Sequence, residues 1–353
     1  MKKKVNKNSL NGFINYGIVV AAYVVIRAMI GGGMVSNSLQ SLLVPACCYV
    51  VMAVSLNLTV GILGELSLGH AGFMSLGAFS GIVASIMLQE AIPFIPLRLA
   101  ASMAIGALAG ALGGAIVGVP VLRLQGDYLA IVTLAFGQII KNIIMVLYVG
   151  VDETGIHVAA SSDRFVLADD GVAIIKGPMG AVGVTKLASF TAGFILILVT
   201  LLVVQNLVSS RAGRAIMALR DNRIAAESVG INVTKYKLMA FVISAALAGA
   251  AGALFGLNYS STVASKFDFN TSILVLVFVV LGGLGSIRGS MIAAALLYVL
   301  PELLRSFDIA EYRMLIYAII LILVMLVTNN PTMKTFFGSL LKKSKKKKEG
   351  AGA

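Results

Sequence analysis

The sequence is poor in charged residues and in potential metal ligands. Lys, Arg, Asp and Glu make up 12% of the 353 residues and 59% are hydrophobic, so the apolar surface exceeds what a single water-soluble core could bury. Cys47 and Cys48 are adjacent in an apolar run and have no further Cys or His at ligand spacing, which favours a small core role over a metal site. We therefore expect an integral membrane protein with no metal.

Nucleotide-binding and catalytic motifs are also missing. The chain has no Gly-x-x-x-x-Gly-Lys-Ser/Thr phosphate loop, no His-Glu-x-x-His and no Gly-x-Ser-x-Gly elbow. No carboxylate falls near the middle of a predicted span, which argues against a proton- or sodium-coupled carrier. We expect no enzyme activity and no cofactor bound by this chain. If ATP drives its function, another chain must hydrolyse it.

Ten apolar stretches approach the ~20 residues needed to cross a bilayer. They lie at 16–30, 39–63, 71–88, 99–121, 128–149, 190–208, 238–257, 272–284, 291–304 and 312–327. The first follows basic residues, but no small-residue cleavage site follows it, so we expect a retained helix. The Gly/Ala runs 109–115 and 248–253 predict close helix packing. The sequence thus predicts an all-α polytopic fold.

Positive charge is concentrated in three clusters, although the net charge is +13. The clusters lie within 2–7, 211–237 and 342–348, whereas nucleic-acid-binding proteins spread basic residues over a folded surface. With the N-terminus inside, ten crossings place all three clusters in the cytoplasm, as the positive-inside rule requires. We expect both termini to be cytoplasmic and no nucleic acid to be bound.

The same threading divides the chain into regions. Residues 1–15 form a basic cytoplasmic N-terminus and 16–331 a transmembrane permease domain, which includes an acidic extracytoplasmic loop at 150–188 and a cytoplasmic segment at 209–237. Residues 332–353 form a basic cytoplasmic tail that anionic lipid would attract by ~1 kcal/mol per basic residue. Lys141 and Asn142, near the outer end of the fifth span, are interpreted as snorkelling toward the headgroups.

Glycine interrupts the apolar pattern at comparable places in the two halves, at 61–70 and 281–289. Short re-entrant or broken helices in each half would line a transport pathway, because unwound backbone is tolerated in a membrane only where it is buried or faces a cavity. Ordinary glycine-rich turns are the alternative. Glu65 and His70 are likewise either substrate or proton contacts, or a solvated or mutually bonded pair at a helix end.

The cytoplasmic segment 214–230 has a helical pattern. Ile216, Leu219, Arg220 and Arg223 recur at helix spacing, and Gly230 can terminate the helix. A short amphipathic helix of this kind fits a groove on a partner protein. A charged surface loop is the alternative.

Four segments of the sequence resemble the permease subunits of branched-chain amino acid ABC importers, and particularly the longer of the two paralogous subunits. The motifs are GELSLGHAGF at 64–73, LRLQGDYLAIVTLAFG at 122–137, the segment 213–241 and VLGGLGS at 280–286. Together they fall within 57–331. Ile224 departs from the family pattern by replacing the Glu of the coupling motif, and the sequence at 152–157 departs from the usual glycine-rich pattern.

The resemblance and the patterns together predict two sets of functional residues. The ATPase-coupling set is Arg214, Arg220, Asp221, Ala225, Ala226, Glu227 and Gly230. The translocation-pathway set is Gly64, Glu65, Ser67, Gly69, His70, Asp127, Tyr128, Thr133, Gly282, Gly283 and Gly285. No catalytic residue is predicted.

The resemblance implies a multi-pass subunit in the cytoplasmic (inner) membrane of a prokaryote. Its implied partners are a paralogous permease, two cytoplasmic ABC ATPases that use ATP, an extracytoplasmic substrate-binding protein and membrane lipid. The implied cargo is leucine, isoleucine or valine, and related systems carry other amino acids, urea or short amides. Two other classes remain: an ion-coupled secondary transporter, opposed by the predicted coupling helix, and a membrane-embedded enzyme, opposed by the lack of clustered catalytic residues.

Overall fold

The computed structural model describes residues 7–33, 36–122, 127–152, 155–165, 167 and 171–305, together with 318, 319 and 322. Its helices are α1 (Lys7–Gly31), α2 (Asn37–Asn57), α3 (His70–Met87), α4 (Ile95–Val121), α5 (Asp127–Val146), α6 (Phe190–Ser209), α7 (Arg211–Asp221), α8 (Arg223–Ser228), α9 (Val233–Gly256), α10 (Phe269–Gly282) and α11 (Ile287–Arg305). The described part of the chain is therefore mostly helical.

Among the described residues, eight helical stretches are long and apolar enough to cross a membrane. They correspond to α1, α2 with its π-helical extension, α3, α4, α5, α6, α9, and α10 with the turn before it. The predicted ninth span, 291–304, lies within the helix α11. The tenth span, 312–327, lies outside the described residues except at three positions, and the tail 332–353 lies wholly outside them. The protein is thus a polytopic membrane protein.

The core is formed where α3, α4 and α9 meet through glycine. A Cβ atom at Gly77 in α3 would overlap the backbone of Gly249 in α9, and one at Gly110 in α4 would overlap the carbonyl of Ala245. The contact at Gly106 is similar, with the Gly77 carbonyl oxygen 2.9 Å from an ideal Cβ position. This backbone-to-backbone packing confirms the prediction from the small-residue runs.

The prediction of an all-α chain is wrong for the connection 150–188, which contains strands of an antiparallel sheet. The strands are β1 (Tyr148–Asp152), β2 (Gly155–Ala159), β3 (Val172–Lys176), β4 (Ala181–Val182) and β5 (Ser261–Thr262), in the order β2-β1-β3-β4-β5. Val149 pairs with both Val158 and Ile175, so β-branched residues align across three strands. These strands have at most five residues and were missed beside the much stronger membrane-span signal.

Residue contacts divide the chain within α11, between Ala295 and Leu296. The unit 1–295 contains α1 to α10, the sheet and the first half of α11.

Candidate functional site

The first glycine-rich stretch is a break between α2 and α3. After Asn57 the chain continues as a π-helix, Leu58–Leu63, which ends at Gly64 in a left-handed conformation with φ +81°. Residues 64–69 are not helical, and α3 begins at His70. Gly64 is suited to this position because the left-handed region strains residues that carry a Cβ.

This non-helical segment runs antiparallel to α10. At one end Asn57 Oδ1 accepts a hydrogen bond from Gly285 N at 2.9 Å, and at the other Ser272 Oγ accepts from Ala71 N at 3.1 Å. The ten residue steps of α10 from Ser272 to Gly282 rise about 15 Å. The segment 64–69 therefore lies at the depth of a membrane helix, where irregular backbone must be satisfied by protein.

Protein groups supply those hydrogen bonds. Glu65 N donates to the Thr59 carbonyl at 3.0 Å, and Leu68 N donates to Thr133 Oγ1 of α5 at 3.1 Å. Thr133 Oγ1 in turn donates to the Ala130 carbonyl at 2.9 Å, which leaves its oxygen free to accept from Leu68. Thr133 thus holds the break against α5.

The second break, between α10 and α11, meets the first at Asn57. This side chain is fully buried, and its Nδ2 donates to Ser290 Oγ at 3.1 Å while its Oδ1 holds Gly285. A Cβ at Gly61 would overlap both Asn57 Oδ1 and Gly285 N. The two glycine-rich stretches are therefore in direct backbone contact, and the single amide of Asn57 joins them.

Arg220, near the end of α7, reaches this junction. Its Nη1 donates to the Gly61 carbonyl at 3.1 Å, and Nη1 lies 3.9 Å from an ideal Cβ position on Gly285. Its Cγ lies 2.6 Å from the ideal Cβ position on Gly64. Nε and Nη2 donate to Asp221 Oδ1 at 3.1 and 3.0 Å, which orients the guanidinium. One side chain of the predicted coupling segment therefore bonds the first glycine-rich stretch at the place where it meets the second.

A buried ion pair also ties this segment to the first break. Lys237 Nζ of α9 pairs with Glu65 Oε1, and the two side chains are only 5% and 15% exposed. Removing either partner would leave an uncompensated buried charge. Glu65 is thus held by Lys237, and not by His70 as one interpretation of the sequence had it.

His70 lies at the start of α3 and is 1% exposed. Its Nε2 is 2.8 Å from Ser55 Oγ, which donates its own proton to the Met52 carbonyl at 2.9 Å. Because a hydroxyl has one proton to donate, Nε2 must be the donor to Ser55. This arrangement gives His70 a structural role between α2 and α3, and a pathway role stays a prediction.

The predicted coupling segment is two helices where the sequence predicted one over 214–230. α7 ends before Asn222, which is extended (φ −156°, ψ 105°) and whose side chain accepts from Ala225 N at 3.0 Å to cap α8. Leu219, Ala226 and Val233 form a small core with Ala218, Ile231 and Tyr236 packed against it. A side-chain cap therefore divides the helix, and the small core holds the two parts together.

The opposite side of α8 is exposed and partly apolar. Ile224 is 81% exposed and Val229 is 75% exposed, and Ala225 and Glu227 are also exposed. Gly230 follows with φ +85° and ends the segment, as predicted from its position. Exposed aliphatic side chains beside charged ones are typical of a surface that a partner covers.

The other predicted residues are distributed more widely. Asp127 begins α5, but its side chain lies outside the described part of the chain, and Tyr128 is 72% exposed. Gly282 packs against the backbone of Ser290, where a Cβ would overlap it, and Gly283 has φ +93°. Ser67 and Gly69 are buried, and Gly69 packs against the Thr133 carbonyl. Arg214, of the coupling set, donates from Nη1 to the Ser209 carbonyl at 3.4 Å. Of the pathway set, Gly64, Glu65 and Gly285 lie at the junction.

Sequence reasoning missed Asn57 and Lys237 as members of the junction, and it included Gly61 in the first glycine-rich stretch but not in the predicted pathway set. Asn57 has a signal, since it is an amide inside the apolar run 39–63. Lys237 resembles the other basic residues of 211–237, and only the fold brings it to Glu65. Among the described residues, no group of three or more His, Cys, Asp or Glu side chains could hold a metal ion.

Helices long and apolar enough to cross a membrane, two helix breaks joined by Asn57 and a polar segment bonded to the first of them are features of a membrane permease. The chain belongs to the family described as branched-chain amino acid transport system / permease component, whose model matches residues 38–325.

The sequence matches permeases of branched-chain amino acid transport systems and a ribose import permease. The high-affinity branched-chain amino acid transport system permease protein LivM of Salmonella typhimurium is 33% identical over 300 residues, covering 82% of this chain and 68% of LivM. LivH of the same system and organism is 35% identical over 114 residues, covering 32% of this chain and 37% of LivH. The ribose import permease protein RbsC of Haemophilus influenzae is 26% identical over 287 residues, covering 79% and 81%. No solved structure matches the chain.

Proposed function

We propose that this chain is the membrane-spanning permease subunit of an ATP-driven ABC importer for branched-chain amino acids, and that it forms the translocation pathway with a paralogous permease. The similarity to LivM over most of the chain, together with the shorter match to LivH, supports the substrate and the pairing. The observation that carries the mechanism is the bond from Arg220, in the segment between α6 and α9, to the Gly61 carbonyl, where the two glycine-rich stretches meet.

The proposed topology has ten crossings and both termini in the cytoplasm of a prokaryote, with the chain in the inner membrane. It puts α7 and α8 on the cytoplasmic side and the sheet on the outer side. Their placement in the fold supports this, since α7 follows the end of α6 and β1 follows the end of α5. The outer sheet then faces a substrate-binding protein and α8 faces two ABC ATPases.

In this mechanism α8 docks on an ATPase through Ile224 and Val229. Closure of the ATPases on ATP moves α8 and α7, which share the core of Leu219 and Ala226. Arg220 transmits the motion to the contact between Gly61 and Gly285, where the two breaks meet. ATP shifts the population between inward- and outward-open states because it binds them with different free energies.

The test is uptake by proteoliposomes that hold both permeases, the ATPases and the binding protein. We expect labelled leucine to accumulate with ATP inside, and to continue accumulating when ionophores collapse the proton and sodium gradients. Accumulation that stops with the gradients, and persists without ATP, would identify an ion-coupled carrier and refute the proposal.

Substrate choice needs a separate measurement, because RbsC is a ribose import permease. Isoleucine and valine are expected to compete with labelled leucine for uptake, whereas ribose, urea and short amides are expected not to compete. Competition by ribose alone would move the chain to another substrate class and leave the coupling mechanism intact.

A further inference from the structure

One face of α5 is open in this chain and carries amide side chains. Only Leu129, Ala130, Thr133 and Ile144 of its described side chains are buried, and they share one side of the helix. At 100° per residue the opposite side is centred on Tyr128, Ala135, Ile139, Asn142 and Val146, all of which are exposed. Gln138, one turn before Asn142, lies at the edge of this face and is half-buried.

Both amides lie inside the apolar stretch 128–146, which is long enough to cross a membrane. Gln138 lies about 12 Å and Asn142 about 6 Å from the end of α5 at Val146. The interpretation of both residues as snorkelling holds for Lys141 only, because the single methylene of Asn142 is too short to reach the headgroups. Polar side chains at this depth are found against other protein or a water-filled cavity, where their donors and acceptors are satisfied.

The neighbouring helix α4 shows what a lipid-facing surface looks like in the same chain. Its exposed stripe is entirely apolar over the middle of the helix, with Leu108, Leu112 and Ile116 63, 65 and 72% exposed. The open side of α5 also exposes Ile131, Ile139 and Ile143, and the exposed amide of Asn142 is what sets it apart from the stripe on α4.

We propose that the open face of α5 packs against the paralogous permease, and that Gln138 and Asn142 line the substrate path between the two subunits. This inference rests on the proposed function, which supplies a second permease of related sequence. Each amide offers two N–H donors and a carbonyl acceptor, so the pair can hydrogen-bond both the carboxylate and the ammonium of an amino acid in transit. Thr133, on the buried side, anchors the same helix to the first break through Leu68.

The experiment uses the whole transporter with a photo-crosslinking amino acid at Asn142 or, as the matched control, at Leu112. We expect light to join the Asn142 position to the partner permease, while the Leu112 position gives no such product. Absence of a product at 142, or equal products at both positions, would overturn the interface.

A second readout tests the path. Gln138→Cys and Asn142→Cys are exposed to a membrane-impermeant methanethiosulfonate, against Leu112→Cys and the native chain, whose Cys47 and Cys48 are buried. We expect modification at 138 and 142 at least about tenfold faster than at 112, slowed by whichever substrate the same vesicles accumulate. Equal rates at the three positions, or no slowing by that substrate, would refute the path. Uptake is measured in the same vesicles. A loss of ATP-driven transport, which would count against the proposed function, is therefore distinguished from a failure of the proposed path.

Discussion

Asn57 and Gly285 are 228 residues apart in the chain, and the amide oxygen of Asn57 accepts a hydrogen bond from the Gly285 backbone at 2.9 Å. This bond fixes the end of α2 to the break after α10. Arg220 contacts the same place from α7, so three distant parts of the chain converge on a few atoms. Mutations here are expected to affect stability and transport differently according to which contact they remove.

Gly61→Ala tests the backbone contact between the breaks. The added methyl would overlap the Gly285 backbone nitrogen and Asn57 Oδ1, whose amide is held by hydrogen bonds to Gly285 and Ser290, so we expect a loss of about 1–3 kcal/mol as the junction is overpacked. Gly17→Ala in α1 is the control, since nothing lies within 4 Å of its Cβ position and helix propensity favours Ala. The midpoint temperature of thermal unfolding, measured in nanodiscs, should fall for Gly61→Ala and not for Gly17→Ala. Equal midpoints would contradict the close contact.

Asn57→Ala tests the amide that joins the breaks. It removes a fully buried amide that accepts from Gly285 N and donates to the buried Ser290 Oγ, at a cost of about 1–3 kcal/mol. Asn206→Ala removes an exposed amide from α6 and should change stability little. The same unfolding measurement checks both variants. If they unfold alike, the Asn57 bond contributes nothing to stability.

The pair Glu65 and Lys237 calls for a double-mutant cycle. Glu65→Gln and Lys237→Met each leave one buried charge unpaired, and each is expected to cost about 3–5 kcal/mol. The double variant should cost clearly less than the sum, because no charge remains buried. Additive losses in chemical denaturation would show that the two side chains do not interact.

Arg220→Ala should uncouple the ATPases from transport without releasing them. The side chain points to Gly61 and not to the open surface of α8, so co-purification of the ATPases should persist. Loss of a hydrogen bond from a charged donor, worth about 1.5–3 kcal/mol, is expected to lower uptake at least about tenfold. Arg211→Ala removes the same charge from the exposed start of α7 and serves as the control. If both variants reduce uptake equally, the loss of a positive charge accounts for the effect, and the contact with Gly61 does not.

Ile224→Asp should have the opposite phenotype. Ile224 is 81% exposed and makes little contribution to the fold, but a carboxylate would disrupt an apolar docking contact. We expect co-purification of the ATPases to be lost with no change in the unfolding temperature. Ile156→Asp, at 51% exposure in the sheet, should leave the ATPases bound. Retention of the ATPases by Ile224→Asp would remove α8 from the interface.

The membrane helices were predictable from sequence because hydropathy over ~20 residues is a local property. Glycine correctly marked both breaks, and Gly230 marked the end of the coupling segment. The sheet was missed because its strands are short, and the division at Asn222 because a side-chain cap competes with a continuing helical pattern. The pairing of Glu65 with Lys237, and of Asn57 with Gly285, depends on tertiary packing that no local pattern encodes.

The glycine contacts among α3, α4 and α9 restrict how the permease can move. Where Gly77 meets Gly249 and Gly110 meets Ala245, no side chain separates the backbones, so rotation of one helix about its axis would drive a Cα atom into a carbonyl oxygen. In the proposed alternating access, the three helices turn as one rigid body, and the bending falls on the two helix breaks, 64–69 and 283–286.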